Sequence, residues 1–259
     1  MHPQPTQTAL CCAGYDPSGG AGLLADIRVL EQLGLRGMGL CTALTAQNSQ
    51  GVAQVEPVEP ELILKQYESL KEDFSFSGVK IGMLGGRDQA KVVSAILGEQ
   101  QGPKVMDPVL VSSSGASLLE PTSLDYLRGT LLPQVDLLTP NLPEAQALTG
   151  IPVGNLAGVQ QAARFFVEQL KVPAVLIKGG HLSGEPVDTY VGIEGEFEFR
   201  GERVQGVDPH GTGCLLSSAI LGYKLQGSSW IEAISQAKQF GLEKIRRSQA
   251  LGAGKFYWF

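Results

Sequence analysis

The stretch "TALCCAGYDPSGGAGLLADIRVLEQLG", residues 8–34, decides the fold. Its opening "TALCCAG" (8–14) is small and apolar without alternation, as expected of a strand buried on both faces. A glycine-rich turn follows, and "GAGLLADIRVLEQLG" (20–34) then carries apolar residues at helical spacing. Strand, tight turn and amphipathic helix make the first half of a βαβ unit.

The same alternation continues outward from this unit. "GMGLCTALTAQ" (37–47), "GVKIGML" (78–84), "PKVMDPVLV" (103–111), "VDLLTPN" (135–141) and "PAVLIKGGH" (173–181) read as strands. Helical patterns separate them over 60–74, 87–101 and 157–170, with Pro60 suited to a first helical turn. A short helix opens at Pro143 and Glu144. "DTYVGI" and "FEFRGERV" form a hairpin, and two helices cover 211–226 and 229–247. The pattern predicts an α/β fold, a mostly parallel central sheet with helices on both faces, in one domain over residues 1–259.

Composition narrows the function. With 43% hydrophobic and 18% charged residues, a net charge of −6 and no Lys/Arg cluster, the chain lacks the footprint of a nucleic-acid or anionic-membrane binder. No apolar run approaches the ~20 residues that cross a bilayer. Cys11, Cys12, Cys41 and Cys214 contain no C-x-x-C pair, and the N-terminus lacks a signal-peptide pattern. A reduced, cytoplasmic protein with buried thiols is expected.

In such sheets ligands bind beyond the carboxyl ends of the strands. Asp16, Gln47, Asn48, Met83, Asp107, Asn141, Lys178 and His181 all fall there. "GYDPSGGAG" (14–22) lacks the G-x-G-x-x-G order, and no P-loop motif is present. "HGTGC" (210–214) opens a helix. Free N–H groups at a helix start favour an anion, and a cysteine in that field has a lowered pKa and acts as a thiolate. A buried structural cysteine is the equal competitor. Asn141 and Glu144, at i and i+3 in "TPNLPEA", suit a hydrated Mg²⁺ with Asp107 as third ligand; a plain capping box uses the same residues.

The motifs "AGYDPSGGAGLLADI", "TALTAQNSQGV", "VKIGML", "DPVLV", "TPNLPEA", "IKGGH" and "HGTGC" occur in one order from about residue 8 to 245. In this the chain resembles the hydroxymethylpyrimidine/phosphomethylpyrimidine kinases of thiamine biosynthesis, within the ribokinase-like superfamily. The resemblance implies phosphorylation of 4-amino-5-hydroxymethyl-2-methylpyrimidine and then of its monophosphate, with ATP as co-substrate and Mg²⁺ as cofactor. It makes Cys214 the base and Gly211, Thr212 and Gly213 the anion hole. Gln47, Asp26, Met83 and Gly14 would form the pyrimidine pocket. Lys178, Asn141 and His210 would meet the nucleotide, and Asp107, Asn141 and Glu144 the metal. A homodimer is the expected assembly. Pyridoxal or pyridoxine kinase, and a non-catalytic pyrimidine-binding protein of the same fold, are the alternative readings. The chain departs from the family pattern at "SSSGA" (112–116), at Tyr15, at Asp208–Pro209 and in "LGAGKFYWF" (251–259).

Overall fold

The computed structural model describes residues 7–110, 123–180 and 186–258; residues 112–116 and His181 lie outside them. In chain order the strands are β1 (Thr8–Tyr15), β2 (Arg36–Asn48), β3 (Gly51–Pro57), β4 (Gly78–Ile81), β5 (Lys104–Met106), β6 (Leu137–Leu138), β7 (Ala174–Ile177), β8 (Val187–Gly192) and β9 (Gly195–Arg200). The helices are α1 (Gly22–Gln32), α2 (Pro60–Lys71), α3 (Arg87–Glu99), α4 (Ser123–Tyr126), α5 (Leu142–Thr149), α6 (Leu156–Glu168), α7 (Thr212–Leu225) and α8 (Trp230–Arg246). After α4 the chain continues through a π turn over Leu127–Leu131 and a 3-10 turn over Leu132–Gln134.

The strands form one sheet in the order β3-β2-β1-β4-β5-β6-β7-β8-β9. The ladders from β2 through β7 are parallel, and the β2–β3, β7–β8 and β8–β9 ladders are antiparallel. The expected sheet and the 187–200 hairpin are therefore present.

Alternate residues of each central strand enter opposite cores, which is why the strands read as continuous apolar runs. Leu10, Cys12, Val79 and Ile81 pack with Ile63, Tyr67, Val93, Ile96 and Phe166 from α2, α3 and α6. Ala9, Cys11, Ala13, Val105 and Leu176 pack with Val29, Leu30, Leu215, Ile220 and Ile234 from α1, α7 and α8. Cys11 and Cys12 thus lie on opposite faces, fully buried, while Cys41 is only half-buried.

Three elements differ from the sequence reading. β5 stops at Met106 although the apolar run reaches residue 111, because Pro108 offers no N–H and Val109 N–H turns back to the Asp107 carbonyl at 2.9 Å. β6 is cut short in the same way by Pro140. β3 goes unannounced: "GVAQVEP" is a polar edge strand, formed because β2 supplies its partner through an antiparallel register with a bulge between Ala46 and Gln47.

Candidate active site

From β1 the chain moves outward to β2 and then crosses back to β4, so the sheet reverses direction between β1 and β4. A crevice must open there, beyond the carboxyl ends of the strands. It does, as a cleft of roughly 1590 Å³ lined by the loops after β1, β4, β5, β6 and β7, the β2–β3 turn and the start of α7. That is room for a nucleotide and a small ring together.

One end of the cleft is built for anions. α7 starts behind Gly211, whose φ of 73° favours glycine, and no side chain caps the helix. The N–H groups of its first turn, at Thr212, Gly213 and Cys214, are therefore available at the cleft wall. A Cβ on Gly211 would lie 2.0 Å from the Gly20 carbonyl oxygen, so the two glycine loops press directly on each other. A Cβ on Gly213 would fall 2.6 Å from Asp107 Oδ2 and 3.3 Å from Lys178 Nζ. Gly211 is thus required by a backbone approach, whereas at Gly213 the crowding comes from the Asp107 and Lys178 side chains. Lys178 donates to Asp107 Oδ1 at 2.6 Å. Burial opposes its charge, but Asp107 and Glu144 hold the ammonium above the ordinary lysine range.

Asn141 and Glu144 form a reciprocal capping box on α5. The Glu144 N–H donates to Asn141 Oδ1 at 2.9 Å, and the Asn141 N–H to Glu144 Oε2 at 2.8 Å. The bridge between Asn141 and Lys178 nonetheless brings the box against the Lys178–Asp107 pair. Burial pushes the Glu144 carboxyl up to about 7; Lys178 pulls it down and Asp107 drives it up. Among the described residues no third His, Cys, Asp or Glu joins these carboxylates into a metal-binding group. Once Glu144 ionises, as a bound cation would favour, two carboxylates stand against one lysine and offer hard oxygen donors, which fits a largely hydrated Mg²⁺.

Asp16 binds the two glycine loops together. It accepts from the Ser18 N–H at 2.8 Å and hydroxyl at 2.7 Å, from the Ala21 N–H at 2.9 Å, and lies 2.9 Å from His210 Nε2. Burial would raise its pKa, but hydrogen bonding with His210, Gln47 and Ser18 prevails and holds the carboxylate at about 2. The main chain of His210 is tied to the C-terminal segment. Its N–H donates to the Phe256 carbonyl at 2.8 Å, and its carbonyl accepts from Trp258 Nε1 at 2.7 Å. Lys255 reaches both Asp208 carboxylate oxygens, at 2.8 and 2.9 Å. The departures at 208–209 and in 251–259 therefore contact each other.

Gly14, Gln47 and Met83 line the same cleft, and Gln47 hydrogen-bonds with Asp16. Gly14 leaves space for Met83, whose sulfur would be 2.9 Å from a Cβ there. Gln47 sits at the β2 bulge, and Thr45 Oγ1 anchors the hairpin to the Tyr15 carbonyl at 2.9 Å.

Two expectations need correction. Asp26 does not line the cleft. It is fully buried beneath it, with Lys80 Nζ at 3.0 Å and the Ser218 hydroxyl donating at 2.8 Å. A carboxylate on the inner face of α1 stays there because a lysine on β4 balances it. Cys214 does line the cleft but is no low-pKa thiol. Burial pushes it up to about 12, with Lys80 opposing that rise and Asp26 and Asp107 adding to it. Desolvation outweighs the pull of Lys80 and of the Gly22 backbone hydrogen bond. Lys80 itself escaped notice, although a lysine between Val79 and Ile81 in an apolar strand requires a buried anion.

With this geometry in hand, the relatives are informative. The family model described as phosphomethylpyrimidine kinase matches residues 16–257. A hydroxymethylpyrimidine/phosphomethylpyrimidine kinase of Aquifex aeolicus is 41% identical over 95% of this chain and 97% of its own. The crystal structure of a phosphomethylpyrimidine kinase from Clostridium difficile superposes with a TM-score of 0.81 at 36% identity, covering 92% of this chain and 99% of that one. A pyridoxal kinase from Staphylococcus aureus in complex with ADP gives a TM-score of 0.90 at 26% identity, over 99% of this chain and 94% of that one. The fold is the ribokinase-like one that the motifs implied, and the chain belongs to the phosphomethylpyrimidine kinase family.

Proposed function

We propose that this protein is an ATP-dependent hydroxymethylpyrimidine/phosphomethylpyrimidine kinase of thiamine biosynthesis. The observation that carries the reading is the convergence of an uncapped glycine-rich helix start, a thiol and the Lys178–Asp107 pair in one cleft that Gln47, Gly14 and Met83 also line. The side-chain amide of Gln47 pairs with a ring nitrogen and the exocyclic amine of an aminopyrimidine, the edge that glutamine reads in adenine.

The pocket then presents the hydroxymethyl group to Cys214. In its thiolate form, the minor one for a thiol held at about 12, Sγ takes the hydroxyl proton and becomes the thiol as the oxygen bonds to the γ-phosphorus of ATP and ADP leaves. The transferred group sits against the N–H groups of Thr212, Gly213 and Cys214, and Lys178 neutralises phosphate charge. Positioning and fixed donors supply most of such catalysis. Asp107 and Glu144, with Asn141 beside them, would hold Mg²⁺ through waters, where the ion shields the nucleotide phosphates. His210, fixed by Asp16, borders the nucleotide phosphates from the same loop as the anion hole.

A coupled assay of ADP release with hydroxymethylpyrimidine and its monophosphate, and in parallel with pyridoxal, tests the reading. Turnover of both pyrimidines well above that of pyridoxal is expected; preference for pyridoxal would replace it by the vitamin B6 alternative. ATP binding without turnover of either would leave the non-catalytic reading.

A homodimer through the β3 edge belongs to the same proposal. β3 ends the sheet and so leaves an edge for another strand, and Leu44, paired with Glu56 of β3, is half exposed beside it. Light scattering at assay concentration measures it.

A further inference from the structure

Lys80 and Asp26 are fully buried side chains, 3.0 Å apart, and none of the steps above uses them. Sequestering two charges is expensive, and a buried pair is often replaceable by apolar residues at no loss of stability. Their retention at this place asks for a reason in the site. Three elements meet at the pair: β4 through Lys80, α1 through Asp26, and α7 through Ser218, which donates to Asp26 Oδ1 at 2.8 Å. Ser218 lies one turn beyond Cys214, so both project from the same face of α7. The cleft floor rests on the pair as well, since a Cβ on Gly82 would lie 2.9 Å from Lys80 Nζ. The charged and titratable groups acting on Cys214 or felt through it are Lys80 on β4, Asp26 on α1, Asp107 after β5, Lys178 after β7 and Cys11 on β1.

We propose that the buried Lys80–Asp26–Ser218 triad is the positioning device of Cys214. The Ser218–Asp26 bond locks the rotation of α7, and Lys80 supplies a buried cation that favours the thiolate form of Cys214, the form able to accept the hydroxyl proton. Lys80 touches no substrate; it acts through Cys214. The inference rests on Cys214 as the base, and its test separates the two ideas.

The measurements are kcat, the KM for pyrimidine and for ATP, and the rate of Cys214 alkylation by iodoacetamide at fixed pH, followed at that residue by peptide mass spectrometry. Lys80→Met leaves an unpaired buried Asp26 and is expected to unfold readily. The paired replacement Lys80→Met with Asp26→Leu removes both charges and keeps the core filled. In the paired variant kcat and the alkylation rate are expected to fall together, by less than the roughly ten- to hundredfold of a single lost opposite charge because Asp26, which pushes the thiol up, leaves with Lys80, and both KM values are expected to stay unchanged. Ser218→Ala, which keeps the charges but frees the helix, is expected to fall less on both readouts.

In a Cys214→Ala background the paired replacement should cause no further loss. Wild-type kcat and alkylation in the paired variant would overturn the proposal, as would an equal loss in the Cys214→Ala background. If Cys214→Ala alone keeps its turnover, the base assignment falls, and the alkylation rates still decide whether Lys80 acts on the thiol.

Discussion

Replacing Glu144 by glutamine isolates the charge that the fold buries beside Lys178 and Asp107. Glutamine keeps the shape and can still serve a capping box, so the helix start survives the change. The wild-type carboxyl is only 4% exposed, and burial raises it from the ordinary 4.5 to about 7. At ~1.4 kcal/mol per pH unit, that rise is worth ~3 kcal/mol. Between these two values the native state holds a proton that the unfolded chain has released, so the free energy of unfolding falls as pH rises. The contribution is fully present below the unfolded value of 4.5 and is lost as pH passes through about 7. Urea unfolding of wild type and Glu144→Gln at about pH 5 and about pH 8.5 measures it, because other titrating groups cancel in the comparison. The variant should gain ~3 kcal/mol on the wild type at the higher pH relative to the lower. Parallel pH dependences would refute the reasoning and mean that the fold already neutralises this carboxylate.

Four further outcomes follow from the site. Cys214→Ser should lower kcat by about 10²–10⁴, the span of general-base catalysis, while leaving pyrimidine binding intact. Because burial holds the thiol up to about 12, wild-type kcat should climb with pH above neutrality, and Cys214→Asp should flatten that climb; a wild-type profile already flat there would count against the thiolate. Gln47→Ala should cost ~1–3 kcal/mol in pyrimidine KM with little change in ATP KM, and an unchanged pyrimidine KM would remove Gln47 from the ring pocket. Trp258→Phe deletes the 2.7 Å bond to the His210 carbonyl and should lower both stability, by ~1–2 kcal/mol, and kcat; an unaltered Tm and kcat would show the C-terminal segment to be inert toward the phosphate loop.

The sequence alone determined the strand–helix order, because strands buried on both faces read as apolar runs and amphipathic helices repeat every three to four residues. "TALCCAG", "AVLI" and the α7–α8 pair were legible on that ground. Gly211 was legible too, since a glycine suits the tight turn behind an apolar helix, and there the Gly20 carbonyl presses on its backbone. What it missed was whatever depends on a partner distant in the chain. β3 pairs only because β2 borders it, and the segment at 254–258 is fixed by Ser49, Asp208 and His210.

Tertiary structure alone decided the electrostatics. Local sequence placed Cys214 in the field of a helix start and so predicted a lowered pKa; the assembled core removed its water and raised it instead. Asp26 looked like a pocket residue until β4 brought Lys80 against it, 54 positions along the chain. Propensity and periodicity are properties of neighbours in sequence, and a chain states them directly. Desolvation and charge pairing depend on which distant groups the fold brings within a few ångströms, and that is settled only when the sheet closes over its two cores.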